Sequence, residues 1–122
     1  MRKTILLVED NEANRTLVHD ILSHHGYEVI VAVNGEEGVR LAMELIPDMI
    51  IMDIQMPVMN GFAAISMLKK NPQTRDIKVL AITSFAMGGD RERVMASGAD
   101  GYLSKPINTR ELPGLIVGLI GS

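Results

Sequence analysis

Cysteine is absent from all 122 residues, which excludes disulfides, thiolate metal sites and cysteine nucleophiles together. Such a chain suits a reducing compartment, and a cytoplasmic location is expected. Basic residues are not in excess either. With a net charge of −3, the chain has no general attraction for nucleic-acid phosphates, so no direct nucleic-acid partner is expected. Long hydrophobic runs are missing as well. Met1-Arg2-Lys3-Thr4 enters an apolar run of only four residues, Ile5 to Val8, too short for a signal peptide. The uncharged tail Leu112 to Ser122 is too short and too interrupted by glycine to span a bilayer, so no membrane is expected as a partner. What remains is an ordinary globular composition, 47% apolar, enough to form a core for one domain over residues 1–122.

Short apolar runs recur at Ile5–Val8, Val29–Val33, Met49–Met52, Val79–Ile82 and, more weakly, Tyr102–Leu103. Continuous rather than alternating runs mark strands buried on both faces, as in parallel sheets. Helical spacing lies between them, with Leu17, Ile21 and Leu22 on one face, then Val39, Ala42, Met43 and Ile46, then Ile65 and Leu68. Asn34 with Glu37 predicts a capping box and Pro47 a stop. Asn60 caps the next helix and Asn71-Pro72 ends it, while Asp90 opens a fourth that closes at Gly98. Asn108 with Glu111 opens the fifth. The alternation predicts a doubly wound α/β fold, a parallel sheet with right-handed crossovers and helices on both faces.

Open α/β sheets bind ligands beyond the carboxyl ends of their strands. The residues there are Glu9 and Asp10, Asp53, Thr83 and Ser84, and Ser104, Lys105 and Pro106. Three carboxylates at one rim repel one another unless a cation joins them. With no His or Cys beside them, that cation should be hard, and Mg²⁺ fits a few oxygen ligands completed by water and phosphate. A carboxylate can accept a phosphoryl group, and transfer needs mainly positioning and charge neutralisation, which a lysine and Mg²⁺ supply. Lys105 has that charge, and the Thr83 hydroxyl can bond a phosphoryl oxygen.

Val8-Glu9-Asp10-Asn11, Met52-Asp53-Ile54-Gln55-Met56-Pro57-Val58-Met59-Asn60-Gly61, Ile82-Thr83-Ser84 and Ser104-Lys105-Pro106 resemble, in that order, the receiver domains of bacterial response regulators. The resemblance covers the whole chain, and a Phe-Ala-Met stretch after the fourth strand is similar to single-domain regulators. It implies a flavodoxin-like (βα)5 fold with strand order 2-1-3-4-5. It also implies that Asp53 is the phospho-acceptor, and that Asp10, Asp53 and the backbone carbonyl of Gln55 hold Mg²⁺, with Glu9 acting through water. Lys105 would pair with the phosphoryl group, aimed by a cis peptide before Pro106, while Thr83 and Tyr102 switch position. Gln55 and Phe85 would set the phosphoryl lifetime, Phe85 by shielding it from water. The implied partners are a histidine kinase or histidine phosphotransfer protein upstream and a protein target or output domain downstream. The fourth helix, fifth strand and fifth helix form the implied contact surface, for a partner or a second copy. No activity is implied beyond catalysis of the chain's own phosphorylation and dephosphorylation.

His19, His24 and His25 do not share the i, i+4 face of a helical metal pair, and the nine methionines scatter as core filler. Arg91, Glu92 and Arg93 read as an exposed face of the fourth helix. Gly88-Gly89 leave the loop before it free to rearrange. After Glu111 the last helix carries no charge, and Pro113, Gly114 and Gly118 weaken it. Other classes fit less well. A phosphatase of the haloacid-dehalogenase kind wants a second acid two residues after its aspartate, where this chain has Gln55. A degenerate docking receiver would not keep the full acid, threonine and lysine set. A flavin binder would not place Glu9-Asp10 where a phosphate must sit.

Overall fold

The computed structural model describes residues 2–56, 59–83 and 88–121, with 88–91 as backbone only. Five strands alternate with five helices: β1 (Thr4–Val8), α1 (Glu12–His24), β2 (Glu28–Ala32), α2 (Gly35–Leu45), β3 (Met49–Asp53), α3 (Gly61–Lys70), β4 (Lys78–Thr83), α4 (Gly88–Ala96), β5 (Gly101–Ser104) and α5 (Glu111–Ile120). The strands form one parallel sheet in the order β2-β1-β3-β4-β5, as expected. The chain winds outward in one direction from β1 to β2 and in the other from β3 to β5. The switch point between β1 and β3 is where such sheets open a crevice.

Side chains alternate across the sheet and feed two cores. Leu6, Val8, Ile50, Met52, Val79 and Ala81 face one side, where α2, α3 and α4 contribute Ala42, Ile65, Leu68 and Val94. Ile5, Leu7, Met49, Ile51, Leu80 and Ile82 face the other, under Val18 and Leu22 of α1 and Leu112 and Ile116 of α5. Every residue of β3 is buried, which is why its sequence is apolar without interruption until Asp53.

Caps follow the polar punctuation. Asn34 Oδ1 accepts the Glu37 amide at 2.8 Å and Asn60 Oδ1 accepts the Ala63 amide at 2.9 Å, opening α2 and α3. Asn108 accepts the Arg110 and Glu111 amides at 2.9 and 3.2 Å in the turn before α5, but the N-cap position is Arg110, not Asn108 as expected. Pro113 is the third residue of α5, within the first turn, where its missing N–H leaves no helical bond unmade.

Three further sequence expectations are corrected. Leu17 is 41% exposed, whereas Val18 and Leu22 are buried, so the inward stripe of α1 is turned by one residue. Ile46 ends α2 in the left-handed conformation and is exposed, so it does not join the inward stripe of that helix. Helix α4 begins at Gly88, so Asp90 lies within its first turn and is not its cap, and the glycine pair is part of the helix. Ser84, Phe85 and the Pro57-Val58 pair lie outside the described residues. Among the described residues, no helix is long and apolar enough to cross a membrane.

Candidate functional site

The register of the sheet decides which polar residues meet. Val8 pairs with Met52, Asp53 with Ile82 and Thr83 with Ser104, so the strands run out together at one edge. Glu9 continues that ladder, its amide donating to the Ala32 carbonyl at 3.0 Å. The Ile54 amide donates to the Ile82 carbonyl at 2.9 Å, and the Lys105 amide donates to the Thr83 carbonyl at 2.8 Å. These backbone bonds fix the starting points of the side chains.

One ligand oxygen each from Glu9, Asp10 and Asp53 lie within 4.8 Å of one another. Glu9 and Asp53 are 2% and 1% exposed, while Asp10 faces solvent. Lys105 Nζ reaches both buried acids, at 3.1 Å from Asp53 Oδ2 and 3.5 Å from Glu9 Oε1. The other Asp53 oxygen, Oδ1, accepts the Gln55 amide at 3.0 Å. Two buried carboxyl groups thus share one ammonium, and ionising both would leave the pocket short of positive charge. A hard divalent cation held by oxygen ligands fits that deficit and donor set, so this cluster could bind a metal ion.

The electrostatics follow from burial. Glu9 is pushed up from its ordinary 4.5 to about 8, first by burial, then by its hydrogen bond to Asp53 and the charge there. Lys105 and the Asn11 amide pull it back only in part. Burial also works against the charge on Lys105, but the negative charge and hydrogen bond of Asp53, with Glu9 behind it, hold Lys105 above the ordinary lysine value.

The structure brings together Glu9, Asp10, Asp53 and Lys105. Thr83 is fully buried at the end of β4. Gln55 is half-buried two residues beyond Asp53, and Tyr102 packs against the α2–α3–α4 side of the core. The Lys105–Pro106 peptide is cis. Phe85, expected to shield the site, is outside the described residues.

Three supporting residues have no role in the sequence reading. Arg15 folds back from α1 so that its guanidinium donates to the Glu9 and Asp10 carbonyls at 3.0 and 3.3 Å. Asn11 donates its amide to Glu9 Oε2 at 3.3 Å and caps α1 through Asn14. Gly61 closes the β3–α3 loop, its amide bonding the Ile54 carbonyl, and a Cβ there would lie 2.6 Å from the Asp53 carbonyl oxygen. The signal available for Arg15 was a cation one helical turn after the Asn11 cap, on the side of the acid pair.

Comparison with known proteins agrees with this edge. Residues 5–116 match the response regulator receiver domain family. The chain is 45% identical over 108 residues to the polar-differentiation response regulator DivK of Brucella anthropi, covering 88% of each chain. The receiver domain of the sensor histidine kinase PA1611 from Pseudomonas aeruginosa, whose structure has a magnesium ion coordinated in the active site cleft, superposes with a TM-score of 0.92 at 35% identity over 100% of both chains. The receiver domain of Ssk1 from Saccharomyces cerevisiae, solved with the histidine phosphotransfer protein Ypd1, gives a TM-score of 0.91 at 26% identity, covering 98% of this chain and 89% of that one. With five strands in this order, four sequence stretches converging on one edge and a match over nearly its whole length, the chain belongs to the response regulator receiver domain family of two-component signalling.

Proposed function

We propose that the chain, as one receiver domain over residues 1–122, takes a phosphoryl group onto Asp53 and changes its protein contacts in response. The observation that carries this is the placing of the buried Asp53 carboxylate between the Lys105 ammonium and the Glu9–Asp10 pair. The phosphorus–nitrogen bond of a phosphohistidine breaks as a phosphorus–oxygen bond forms to a carboxylate oxygen of Asp53. The electron pair stays on the imidazole, which takes a proton from water. The product is an acyl phosphate, reversed by attack of water.

Asp10, Asp53 and the Gln55 carbonyl would hold Mg²⁺ directly, with Glu9 acting through water. When bound, the ion supplies positive charge to the phosphoryl oxygens. Lys105 transfers its contact from Asp53 to a phosphoryl oxygen, so the ammonium stays paired throughout. The Thr83 hydroxyl donates to another phosphoryl oxygen, and Tyr102 follows into the space vacated, a population shift between two arrangements. Gln55 and Phe85 set the lifetime by controlling the approach of water. No other turnover is proposed than this self-modification.

The donor is a histidine kinase or a histidine phosphotransfer protein, a class supported by the Ssk1 receiver's complex with Ypd1. The reader is a protein target or output domain at the surface of α4, β5 and α5, where a second copy can also pair. The setting is the cytoplasm. The test is incubation with a small phosphodonor and Mg²⁺, followed by intact mass. One added phosphoryl unit, lost on chelation and in Asp53→Asn, supports the reading. A gain that survives Asp53→Asn would overturn it.

A further inference from the structure

The acidic site occupies the carboxyl edge of the sheet, yet among the described residues a cleft runs from the opposite edge. It has a volume of about 560 Å³ and lies between the residues preceding β1, the α1–β2 turn and α5. Its cations are Arg2 and Lys3, with His25 beside them, and its apolar wall is Tyr27, Pro113 and Val117. None of the described lining residues is acidic, although the chain as a whole carries a net charge of −3. The local sign is therefore opposite to that of the protein.

One of the two cations is anchored. Lys3 Nζ donates to the Ile120 carbonyl at the end of α5, which uses one of its three N–H groups and leaves two for a ligand. His25 Nδ1 donates to the Ile21 carbonyl at 2.9 Å, which leaves Nε2 of the neutral ring an acceptor. Arg2 is exposed. The apolar wall does not stop at the cleft. Val117 is 45% exposed, and α5 carries no charge after Glu111. Gly114 and Gly118 beside it have nothing within 4 Å of a Cβ position, so an occupant can lie directly along the helix.

We infer that this cleft is a docking site for an acidic, amphipathic helical segment of a partner protein. The segment lays apolar side chains on Tyr27, Pro113 and Val117 and directs carboxylates to Arg2 and Lys3. Charge complementarity selects the anionic partner, and the uncharged length of α5 selects a helix of several turns over a compact small anion. The site is separate from Asp53, so its test is independent of the phospho-acceptor reading.

The probe is a synthetic helix-forming peptide with a leucine stripe flanked by glutamates, titrated into the isotope-labelled full chain by NMR. Its control carries glutamine for every glutamate. Saturable shifts at Lys3, Gly26, Tyr27 and Val117, weakened by salt and by the glutamine control, support the site. The exposed changes Arg2→Glu and Val117→Asp should each weaken binding about tenfold while leaving the fold intact, since rim charges and buried apolar contacts act at that scale. Shifts scattered over the surface, or affinity unchanged in both variants, would overturn the proposal. So would tighter binding to phosphatidylglycerol vesicles than to the peptide, because that result would assign the cleft to a membrane surface.

Discussion

Lys105 Nζ lies 3.1 Å from Asp53 Oδ2, across a sequence separation of 52 residues, and also 3.5 Å from Glu9. One ammonium therefore contacts two buried carboxyl groups, one just after β1 and one at the end of β3. Lys105→Ala should leave both acids without it, lowering the melting temperature of the metal-free protein, with Mg²⁺ restoring part of the loss. Phosphoryl uptake from a small donor should slow on the order of a hundredfold, the scale seen when one charge-stabilising donor is removed. Uptake at the wild-type rate, followed by intact mass over time, would show that Lys105 has no part in transfer.

Glu9 gives the site a pH dependence whose sign can be worked out. Between 4.5 and about 8, the folded metal-free chain keeps a proton on Glu9 that the unfolded chain has released. The folded state binds more protons, so the stability of the metal-free protein falls as pH rises through that window. A divalent ion displaces the proton, so Mg²⁺ affinity should climb over the same range. Calorimetric titration at neutral pH in buffers of different ionisation enthalpy should register proton release, and Glu9→Gln should abolish it. Equal apparent enthalpies in all buffers would contradict this.

Gly61 is where the β3–α3 loop passes closest to Asp53. Gly61→Ala would set a Cβ 2.6 Å from the Asp53 carbonyl oxygen and the Ile54 Cα, both backbone atoms that cannot swing aside. A loss of about 1–3 kcal/mol by denaturant unfolding is expected, together with weaker Mg²⁺ binding, because the loop must move away from the site.

The reverse applies to α5. Gly118 is an exposed helix-interior glycine with open space around its Cβ position. Gly118→Ala should stabilise the protein by about 0.5–1 kcal/mol in the same assay without changing phosphoryl uptake. A drop in stability would mean that the outer face of α5 is covered in solution.

The fold was legible because parallel strands buried on both faces leave uninterrupted apolar runs, as in Ile5–Val8 and Met49–Met52. The sheet topology then turned scattered acids into neighbours. Helix phase was harder to read, since Leu17 and Val18 satisfy the spacing of α1 equally and only packing chooses Val18. Arg15 escaped notice because it grips backbone carbonyls, a role with no partner side chain to mark it. Gly61 read only as the end of a matching stretch, since its close approach to Asp53 exists only once the loop folds back. The basic cleft joins the chain start, a turn and the last helix, so no local spacing reveals it.

The most direct measurement is to trap the acyl phosphate. Protein treated with a small phosphodonor and Mg²⁺ is reduced with borohydride, which converts a phosphorylated aspartate to homoserine, and is then digested for peptide mass spectrometry. Homoserine at position 53 alone is the predicted result. Homoserine at Asp10 or another carboxylate, with residue 53 still aspartate, would contradict the account.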